Sequence, residues 1–283
     1  MGTLLLIDGT AVAYRAFYAI RGLSTSGGQP TNAVYGFIRM LRQMEKIWKP
    51  THRVVVFDGG LPEDRMEALE TYKAQRPDMP DTLQQQLPDI NEFLERADAA
   101  AVMLERFEAD DVMATLARQA RESDAGVLLA TSDKDLYQLV TDRVSIIPPS
   151  KSNERMGPAE IEKKTGVPPE RIVDWLALVG DSSDNIPGVP GVGAKTAAGL
   201  IRSFGSVSGI YGRLAEVASE RIRNALDKNR DVVMRNIDLM TLQTNLSCSL
   251  DWEAAKVRKP DPEKLLPFFK RLEFHAMAKE LEE

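Results

Sequence analysis

The segment Thr3-Leu4-Leu5-Leu6-Ile7-Asp8-Gly9 is a short apolar run that stops at an acid and a glycine. The segment Arg53-Val54-Val55-Val56-Phe57-Asp58-Gly59 repeats this pattern farther along the chain. Runs that are apolar at every position, rather than at alternate positions, are typical of strands buried on both faces of a parallel sheet. The two segments therefore predict two buried parallel strands, each followed by an aspartate.

Helices and further strands alternate with these two strands. Helical spacing covers residues 12–20 and 33–48, between the first and second strands, and residues 109–122. This alternation predicts an α/β fold whose parallel sheet is covered by helices on both faces. The three further runs that we interpret as strands are residues 100–104, 126–130 and 144–147.

The character of the chain changes at about residue 166, after which no further strand is indicated. Helical patterns cover residues 169–179 and 194–204, and residues 262–283 have the pattern of an amphipathic helix pair. We therefore expect a second, helical domain. The two expected domains are residues 1–166, which are α/β, and residues 167–283, which are helical.

The composition is that of an ordinary globular protein, with 43% hydrophobic and 28% charged residues. The net charge of −6 excludes a surface coated in positive charge, but it does not exclude a nucleic-acid partner, because cations bound to clustered acids offset them. Cys248 is the only cysteine, which excludes an intrachain disulfide and suits a reducing cytosol. No apolar run approaches the about 20 residues that span a bilayer. We expect a soluble, cytoplasmic protein with no membrane partner.

Carboxylates follow four of the predicted strands. In open α/β sheets the ligand site lies outside the carboxyl ends of the strands, so these acids are expected to converge there. Each acid alone is more often a helix cap or a turn residue. Together, without cations, they would repel one another, whereas Mg²⁺ and Mn²⁺ prefer such oxygen ligands. The acids are Asp8, Asp58, Glu108, Asp110, Asp111, Asp133 and Asp135.

Residues 180–197 offer two more carboxylates, Asp181 and Asp184, followed by a run rich in proline and glycine that opens a helix at Ala194. A Gly-Val-Gly turn before a helix exposes backbone N–H groups to which a phosphate can come close. The carboxylates would repel that phosphate unless a divalent cation lay between them. This segment therefore indicates metal-assisted chemistry on DNA or RNA, although a helix cap, a turn and a new helix would explain it as well.

Residues 59–80 are polar, lack a clear apolar stripe and look like an excursion from the sheet. They contain three basic residues, Arg65, Lys73 and Arg76. These side chains are either solvated helix charges or clamps for phosphate groups, and the residues alone leave both interpretations open.

Taken in order, the motifs closely resemble those of the 5′-nuclease family. The nearest likeness is to the 5′→3′ exonuclease domain of bacterial DNA polymerase I and its free-standing relatives, and flap endonucleases are more distant. The likeness covers almost the whole chain. The motifs are Leu6-Ile7-Asp8-Gly9, Tyr14-Arg15-Ala16-Phe17, Ala33-Val34-Tyr35-Gly36-Phe37, Val56-Phe57-Asp58, Tyr72-Lys73-Ala74-Gln75-Arg76, Phe107-Glu108-Ala109-Asp110-Asp111, Ser132-Asp133-Lys134-Asp135-Leu136 and residues 180–197.

The resemblance implies a PIN- or resolvase-like nuclease core with a helical arch at about residues 59–80. It also implies a C-terminal DNA-binding domain with a helix-three-turn-helix, also described as a helix-hairpin-helix. The implied enzyme is a structure-specific 5′→3′ exonuclease and flap endonuclease of DNA replication and repair, which uses two or more Mg²⁺ or Mn²⁺ ions. Its implied substrate is DNA with a 5′ flap, a nick or a free 5′ end. We expect a monomer that is fused to a DNA polymerase or works with one.

The resemblance also implies roles for individual residues. Lys73, Arg76 and Asp111 would be catalytic, and a K⁺ ion would lie at the helix-hairpin-helix. The implied metal ligands are Asp8, Asp58, Glu108, Asp110, Asp111, Asp133, Asp135, Asp181 and Asp184. The implied DNA-binding residues are Arg15, Arg65, Lys73, Arg76, Gly188, Gly191, Gly193, Lys195 and Thr196.

Two other functions remain as alternatives. A non-catalytic scaffold that binds DNA junctions would keep the fold, but the loss of carboxylates that would mark it is not seen. A nucleotide-binding enzyme would carry Gly-x-Gly-x-x-Gly after the first strand, where this chain has Asp8-Gly9-Thr10. Residues 59–65, Gly-Gly-Leu-Pro-Glu-Asp-Arg, also differ from the run typical of the family by the acids Glu63 and Asp64.

Overall fold

Five parallel strands form the central sheet of the computed structural model, which describes residues 2–282. Their order across the sheet is β3-β2-β1-β4-β5, so the chain reverses its direction of travel between β1 and β4. That reversal is the topological switch point at which open parallel sheets hold their ligands. The strands are β1 (Thr3–Asp8), β2 (His52–Phe57), β3 (Ala100–Met103), β4 (Gly126–Ala130) and β5 (Val144–Ile147).

The two faces of the sheet are both covered, as predicted. Successive side chains of a strand point to opposite faces, so Leu4 and Leu6 belong to one apolar core and Leu5 and Ile7 to the other. All four side chains are completely buried.

Fourteen α-helices are described within residues 2–282. The first seven are α1 (Gly9–Ala19), α2 (Asn32–Trp48), α3 (Glu63–Ala68), α4 (Asp81–Gln84), α5 (Leu87–Arg96), α6 (Ala109–Glu122) and α7 (Pro158–Thr165). The others are α8 (Ile172–Val179), α9 (Ala194–Phe204), α10 (Val207–Gly212), α11 (Glu220–Lys228), α12 (Arg230–Met240), α13 (Pro262–Arg271) and α14 (His275–Glu282). Two short strands, β6 (Gly180–Asp181) and β7 (Ile186–Pro187), pair antiparallel after α8.

The predicted elements correspond closely to the observed ones, with two differences of detail. No strand is indicated in the sequence after residue 166, whereas β6 and β7 form a short antiparallel pair there. In α5, Pro88 lies in the first turn, where its missing N–H is not needed. Within residues 59–80 only α3 is helical. The longest helix, α2, has 17 residues, and no helix within residues 2–282 is long and apolar enough to cross a membrane.

The last two helices return to the α/β domain. In α13, Phe268 and Phe269 pack against Phe93 of α5, with ring centroids 6.1 and 6.4 Å away. Phe274, just before α14, meets Tyr35 of α2 edge to face. The sequence pattern places residues 262–283 in the helical domain, whereas the described part of them packs on the outer helices of the first domain.

One polar side chain closes the amino end of α2. The side chain of Thr31, which precedes the helix, makes no capping bond, and the Oε1 atom of Gln86 accepts from the N–H of Ala33 at 2.8 Å instead. The Nε2 atom of Gln86 donates to Asn32 Oδ1 at 2.9 Å and to the carbonyl of Thr82 at 2.8 Å. Gln86 is 1% exposed, so water cannot replace these bonds.

We therefore expect Gln86→Leu to lower the free energy of unfolding by about 2–3 kcal/mol, because it leaves buried donors and acceptors unpaired. Equilibrium unfolding in urea measures this change. The matched control is Gln85→Leu, at an exposed position, which should stay within about 0.5 kcal/mol of the wild type. Equal losses for the two variants would show that Gln86 does not cap α2.

Candidate active site

Acids at the carboxyl edge of the sheet are tied to the elements that carry them. Asp8, at the end of β1, caps α1 by accepting from the N–H of Ala11 at 2.8 Å. Asp58, after β2, accepts from the N–H of Ala109 at 2.8 Å, which joins the end of β2 to the start of α6. Asp8 thus acts as the cap that its position suggests, whereas Asp58 bonds to the first residue of a distant helix. Both bring carboxylates to the switch point.

Three other acids form a second, compact group. Carboxylate oxygens of Asp135, Asp181 and Asp184 all lie within 4.8 Å of one another. The Oδ1 atom of Asp135 is buried and has no hydrogen-bond partner within the described residues. An unpartnered buried oxygen among carboxylates suits a divalent cation with a preference for oxygen ligands, so these residues fit Mg²⁺ or Mn²⁺.

Burial and crowding change the acidity of these groups. Burial, together with the charges of Asp58 and Asp133, raises the pKa of Asp8 to about 7. Burial first, and neighbouring carboxylates second, raise the pKa of Asp110 and of Asp135 well above the ordinary range. Without a cation, burial and crowding therefore favour the protonated forms of these carboxyls, and a cation that binds displaces protons.

Asp111, predicted to bind metal, and Arg65, predicted to bind DNA, form a buried ion pair with each other. Arg65 donates through Nη1 and Nη2 to the two oxygens of Asp111 at 2.7 and 2.8 Å, and the N–H of Gln243 donates to Asp111 Oδ1 at 2.8 Å. Asp111, expected to bind metal, is completely buried, and Arg65, expected to bind DNA, is 5% exposed. The Nε atom of Arg65 also donates to the carbonyl of Leu239 at 3.0 Å.

Glu108 collects donors from the arch, residues 59–80. It accepts hydrogen bonds from Arg65 and from Lys73, and Tyr72 Oη donates to it at 2.9 Å. Burial would raise the pKa of Glu108, but the charges of Lys73 and Arg65 outweigh burial and lower it. Tyr72 lies inside a motif noted in the sequence, yet its hydrogen bond to Glu108 was not predicted.

Lys73 and Arg76 bring positive charge to the second group of acids. Lys73 Nζ lies 3.6 Å from Asp184 Oδ2, and the N–H of Lys73 donates to the carbonyl of Asp184 at 2.9 Å. Arg76 forms an ion pair with the same carboxylate, and its side chain is 48% exposed. Lys134, for which the sequence predicts no role, places its Nζ atom 3.2 Å from Asp181 Oδ2.

A cavity of about 410 Å³ opens beside these charges. Asp133, Asp181 and Asp184 line it together with Lys134 and Lys164. The cavity is therefore both acidic and basic, as a site for a cation and a phosphate would be. We call it the acidic cavity.

The turn at residues 188–196 follows β7 directly and includes the first residues of α9. A side chain on Gly188 would meet the carbonyl oxygen of Val179 at 2.1 Å, and Gly191 has a φ of 82°, so the fold itself requires both glycines. Gly193 differs, because a Cβ there would meet nothing within 4 Å. Lys195 and Thr196 are exposed in the first turn of α9. Arg15, the remaining residue predicted to bind DNA, is exposed on α1.

Comparison with known proteins gives matches over nearly the whole chain. Residues 3–166 match the model of the 5′-3′ exonuclease N-terminal resolvase-like domain, and residues 167–263 match that of the 5′-3′ exonuclease C-terminal SAM fold. The chain is 40% identical over 282 residues to the 5′-3′ exonuclease of Aquifex aeolicus, covering 100% of this chain and 96% of that protein.

Longer proteins and solved structures also match. The chain is 39% identical over 279 residues to the thermostable DNA polymerase I of Thermus thermophilus, covering 99% of this chain but only 33% of the polymerase. A structure of the flap endonuclease of bacteriophage T5, in a pseudo-enzyme-product complex with DNA and metal ions, has a TM-score of 0.73. It is 22% identical and covers 99% of this chain and 97% of that one, and at this identity the likeness concerns the fold.

The crowding of carboxylates predicts an effect on stability. In chelator, Asp135→Asn should raise the melting temperature by about 2–4 °C, because an amide relieves about 1 kcal/mol of repulsion and desolvation. The gain should shrink as the pH falls, because the raised pKa lets the wild-type carboxyl take up its proton in the folded protein before the unfolded chain does. Thermal unfolding from pH 8 to pH 5 measures both effects.

The matched control for that experiment is Asp142→Asn, at an exposed position. Its melting temperature should stay at the wild-type value. Added Mn²⁺ should stabilise the wild type and the control more than Asp135→Asn. Equal stabilisation of all three proteins would remove Asp135 from the metal centre.

Proposed function

The chain belongs to the 5′-3′ exonuclease family of DNA replication and repair, and we propose that it hydrolyses phosphodiester bonds at 5′ ends and flaps of DNA with two Mg²⁺ or Mn²⁺ ions. The observation that carries this proposal is the meeting of Asp135, Asp181 and Asp184 beside an acidic cavity. Family membership rests on both matched domains and on a relative that is 40% identical over 282 residues.

Two groups of carboxylates would hold the ions. Asp135, Asp181 and Asp184 form one group, and the acids around Asp8 and Asp110 form the other. Bound ions would activate a water molecule and stabilise the leaving 3′ oxygen. The choice of Mg²⁺ or Mn²⁺ follows from the ligands, which are all carboxylate oxygens.

Lys73 and Arg76 would bind the oxygens of the scissile phosphate. Both now pair with carboxylates of the site, Lys73 with Glu108 and Arg76 with Asp184, so they already lie at its rim. Cationic donors held beside a transferring phosphoryl group stabilise the charge that develops on it. When substrate binds, Lys73 and Arg76 would exchange a carboxylate partner for a phosphate of the DNA, with little movement of the arch.

Asp111 and Arg65 take a supporting role in this proposal. Because Arg65 bonds to Asp111, to Glu108 and to the carbonyl of Leu239, it fixes Glu108 between the arch and the end of α12. Asp111 is thus a positioning residue rather than a metal ligand. The pair holds the arch against the helical domain.

The turn at residues 188–196 and Arg15 would bind DNA at positions away from the scissile bond. Gly193 leaves open space in front of the amino end of α9, where N–H groups and the helix dipole favour a phosphate. A K⁺ ion at this turn is part of the proposal. The enzyme would be a cytoplasmic monomer, fused to a DNA polymerase or working with one, since a DNA polymerase I contains a region 39% identical to this chain.

The alternative of a non-catalytic scaffold is not favoured. All nine predicted carboxylates are present in the chain, and the relative of similar length is a 5′-3′ exonuclease. A scaffold would have no reason to keep acids that repel DNA.

Cutting of DNA should depend on divalent ions. Substitutions of the acids should have one of two effects, a loss of cutting rate or a loss of stability. With labelled 5′-flap and nicked DNA, we expect products with 5′-phosphates in Mg²⁺ and none in excess chelator. Asp133→Asn should lower the single-turnover rate by at least about 100-fold with little loss of stability. Asp111→Asn should instead lower the free energy of unfolding by about 3 kcal/mol, because it breaks a buried ion pair.

Two observations would contradict this scheme. A full cutting rate in excess chelator would exclude metal-assisted hydrolysis. A stable Asp111→Asn protein that no longer binds Mn²⁺ would return Asp111 to the metal ligands.

The turn at residues 188–196 can be tested without disturbing the fold. Gly193→Val should weaken duplex binding by bulk alone, since a Cβ at this position meets no protein atom within 4 Å. Lys195→Ala should reduce the slope of log affinity against log salt by about 1. The matched control is Lys259→Ala, which is exposed near the amino edge of the sheet. An unchanged affinity and slope for both variants would mean that the duplex is held elsewhere.

A further inference from the structure

Arg235 of α12 is a cation whose buried atoms have no partner within residues 2–282. Its Nε and Nη2 atoms are buried, and neither makes a hydrogen bond to any residue that the structure describes. Arg65 is the contrast, because its Nε, Nη1 and Nη2 atoms all donate hydrogen bonds, to the carbonyl of Leu239, to Glu108 and to Asp111.

A guanidinium in this state is costly. The N–H groups at Nε and Nη2 have lost water and gained no acceptor, so they lower the stability of the free protein. Buried charges in folded proteins are otherwise paired. The acceptor that suits them therefore belongs to a ligand, and its chemistry must match a planar fork of N–H donors.

Arg235 lies at the wall of a cavity of about 530 Å³, which we call the side cavity. One wall is the foot of the arch, with Thr71 and Gln75, and another is the segment that carries Ser182 and Asn185. These four polar side chains are uncharged and can donate hydrogen bonds, so they would neither neutralise Arg235 nor repel an anion.

The side cavity and the acidic cavity share one piece of chain. Asp181, Ser183 and Asp184 line the acidic cavity, whereas Ser182 and Asn185 line the side cavity. Different residues of the segment 181–185 therefore line the two cavities, which places the side cavity next to the acidic cavity.

The arch is joined to this segment above the side cavity. Gln75 Nε2 donates to the carbonyl of Ser182 at 2.5 Å, and Asn185 Nδ2 donates to the carbonyl of Thr71 at 2.8 Å. The cavity also reaches Gly188, where the turn toward α9 begins. The side cavity thus lies between the arch and the turn at residues 188–196, both of which are assigned to DNA under the proposed function.

We propose that Arg235 binds a phosphodiester of the DNA substrate in the side cavity, at a position other than the scissile bond. Guanidinium and phosphate match as a bidentate pair, which is the partner that a buried arginine fork accepts best. The proposal rests on the proposed function for the identity of the ligand. Its effect would be to set the register between the turn at residues 188–196 and the metal centre.

The first test is binding of 5′-flap DNA in chelator, where no cutting occurs. Arg235→Gln should weaken binding by about tenfold and reduce the slope of log affinity against log salt by about 1. The matched control is Arg230→Gln, the same change on the same helix at an exposed residue that stacks over Tyr211. Equal effects of the two variants would mean that only net charge matters, which would overturn the proposal.

The second test locates the phosphate. Single methylphosphonate linkages, which carry no charge, are placed one at a time along the flap substrate. At one internal position the wild type should lose about tenfold in affinity, and Arg235→Gln should lose nothing further there. If every position costs both proteins the same, Arg235 does not bind a DNA phosphate.

Inorganic phosphate tests whether the side cavity binds a free phosphate ion instead of a phosphodiester of DNA. If it raises the melting temperature of the wild type but not of Arg235→Gln, while no methylphosphonate position couples to the variant, the cavity takes a free anion and the proposal for DNA is overturned.

The third test separates ligand binding from a structural role. Arg235→Gln removes a desolvated charge, so the melting temperature of the free protein should stay the same or rise. A clear fall would assign Arg235 to the fold instead. Because these tests use chelator, they are independent of cutting, and a wild type that fails to cut in Mg²⁺ would refute the proposed function without deciding the role of Arg235.

Discussion

Repulsion among buried carboxylates is the constraint on which the rest of this structure depends. A parallel sheet brings the ends of β1, β2 and β4 to one edge, where burial and then the charges of neighbouring acids raise the pKa of Asp8 and of Asp110. The chain opposes this repulsion with its own cations before any metal binds. Arg65 and Lys73 enter from the arch and pair with Glu108, and Arg76 pairs with Asp184. Much of the arch is therefore held by charge rather than by an apolar stripe.

The cations of the arch also connect the two halves of the molecule. Arg65 donates both to Asp111 of α6 and to the carbonyl of Leu239 at the end of α12. The N–H of Gln243, which follows α12, also donates to Asp111. The acids, the arch and the helical domain thus form one polar network. Removal of one member leaves a buried charge or carbonyl without a partner, which is why such networks tolerate few substitutions.

Much of this could be predicted from the sequence because local patterns determine it. Apolar runs gave β4 and β5 with their observed bounds, helical spacing gave α6 and α9, and the acids after the strands converge as a parallel sheet requires. The pairing of charges could not be predicted. A sequence shows that Arg65 is basic, but whether it meets DNA or Asp111 depends on contacts between distant segments. For the same reason, the amphipathic pattern of residues 262–283 showed that a face would be buried, but not that it would pack on α2 and α5.

That packing affects how the protein is made. The sheet begins with β1, yet one side of the apolar core is closed by Phe268 and Phe269, which leave the ribosome only after the whole helical region has been translated. Until then, the apolar surfaces of α2 and α5 lack their cover and are exposed to other nascent chains and to chaperones. Folding from the amino end can therefore form the sheet early but cannot complete the domain. The period of greatest risk of aggregation falls during translation of the helical region.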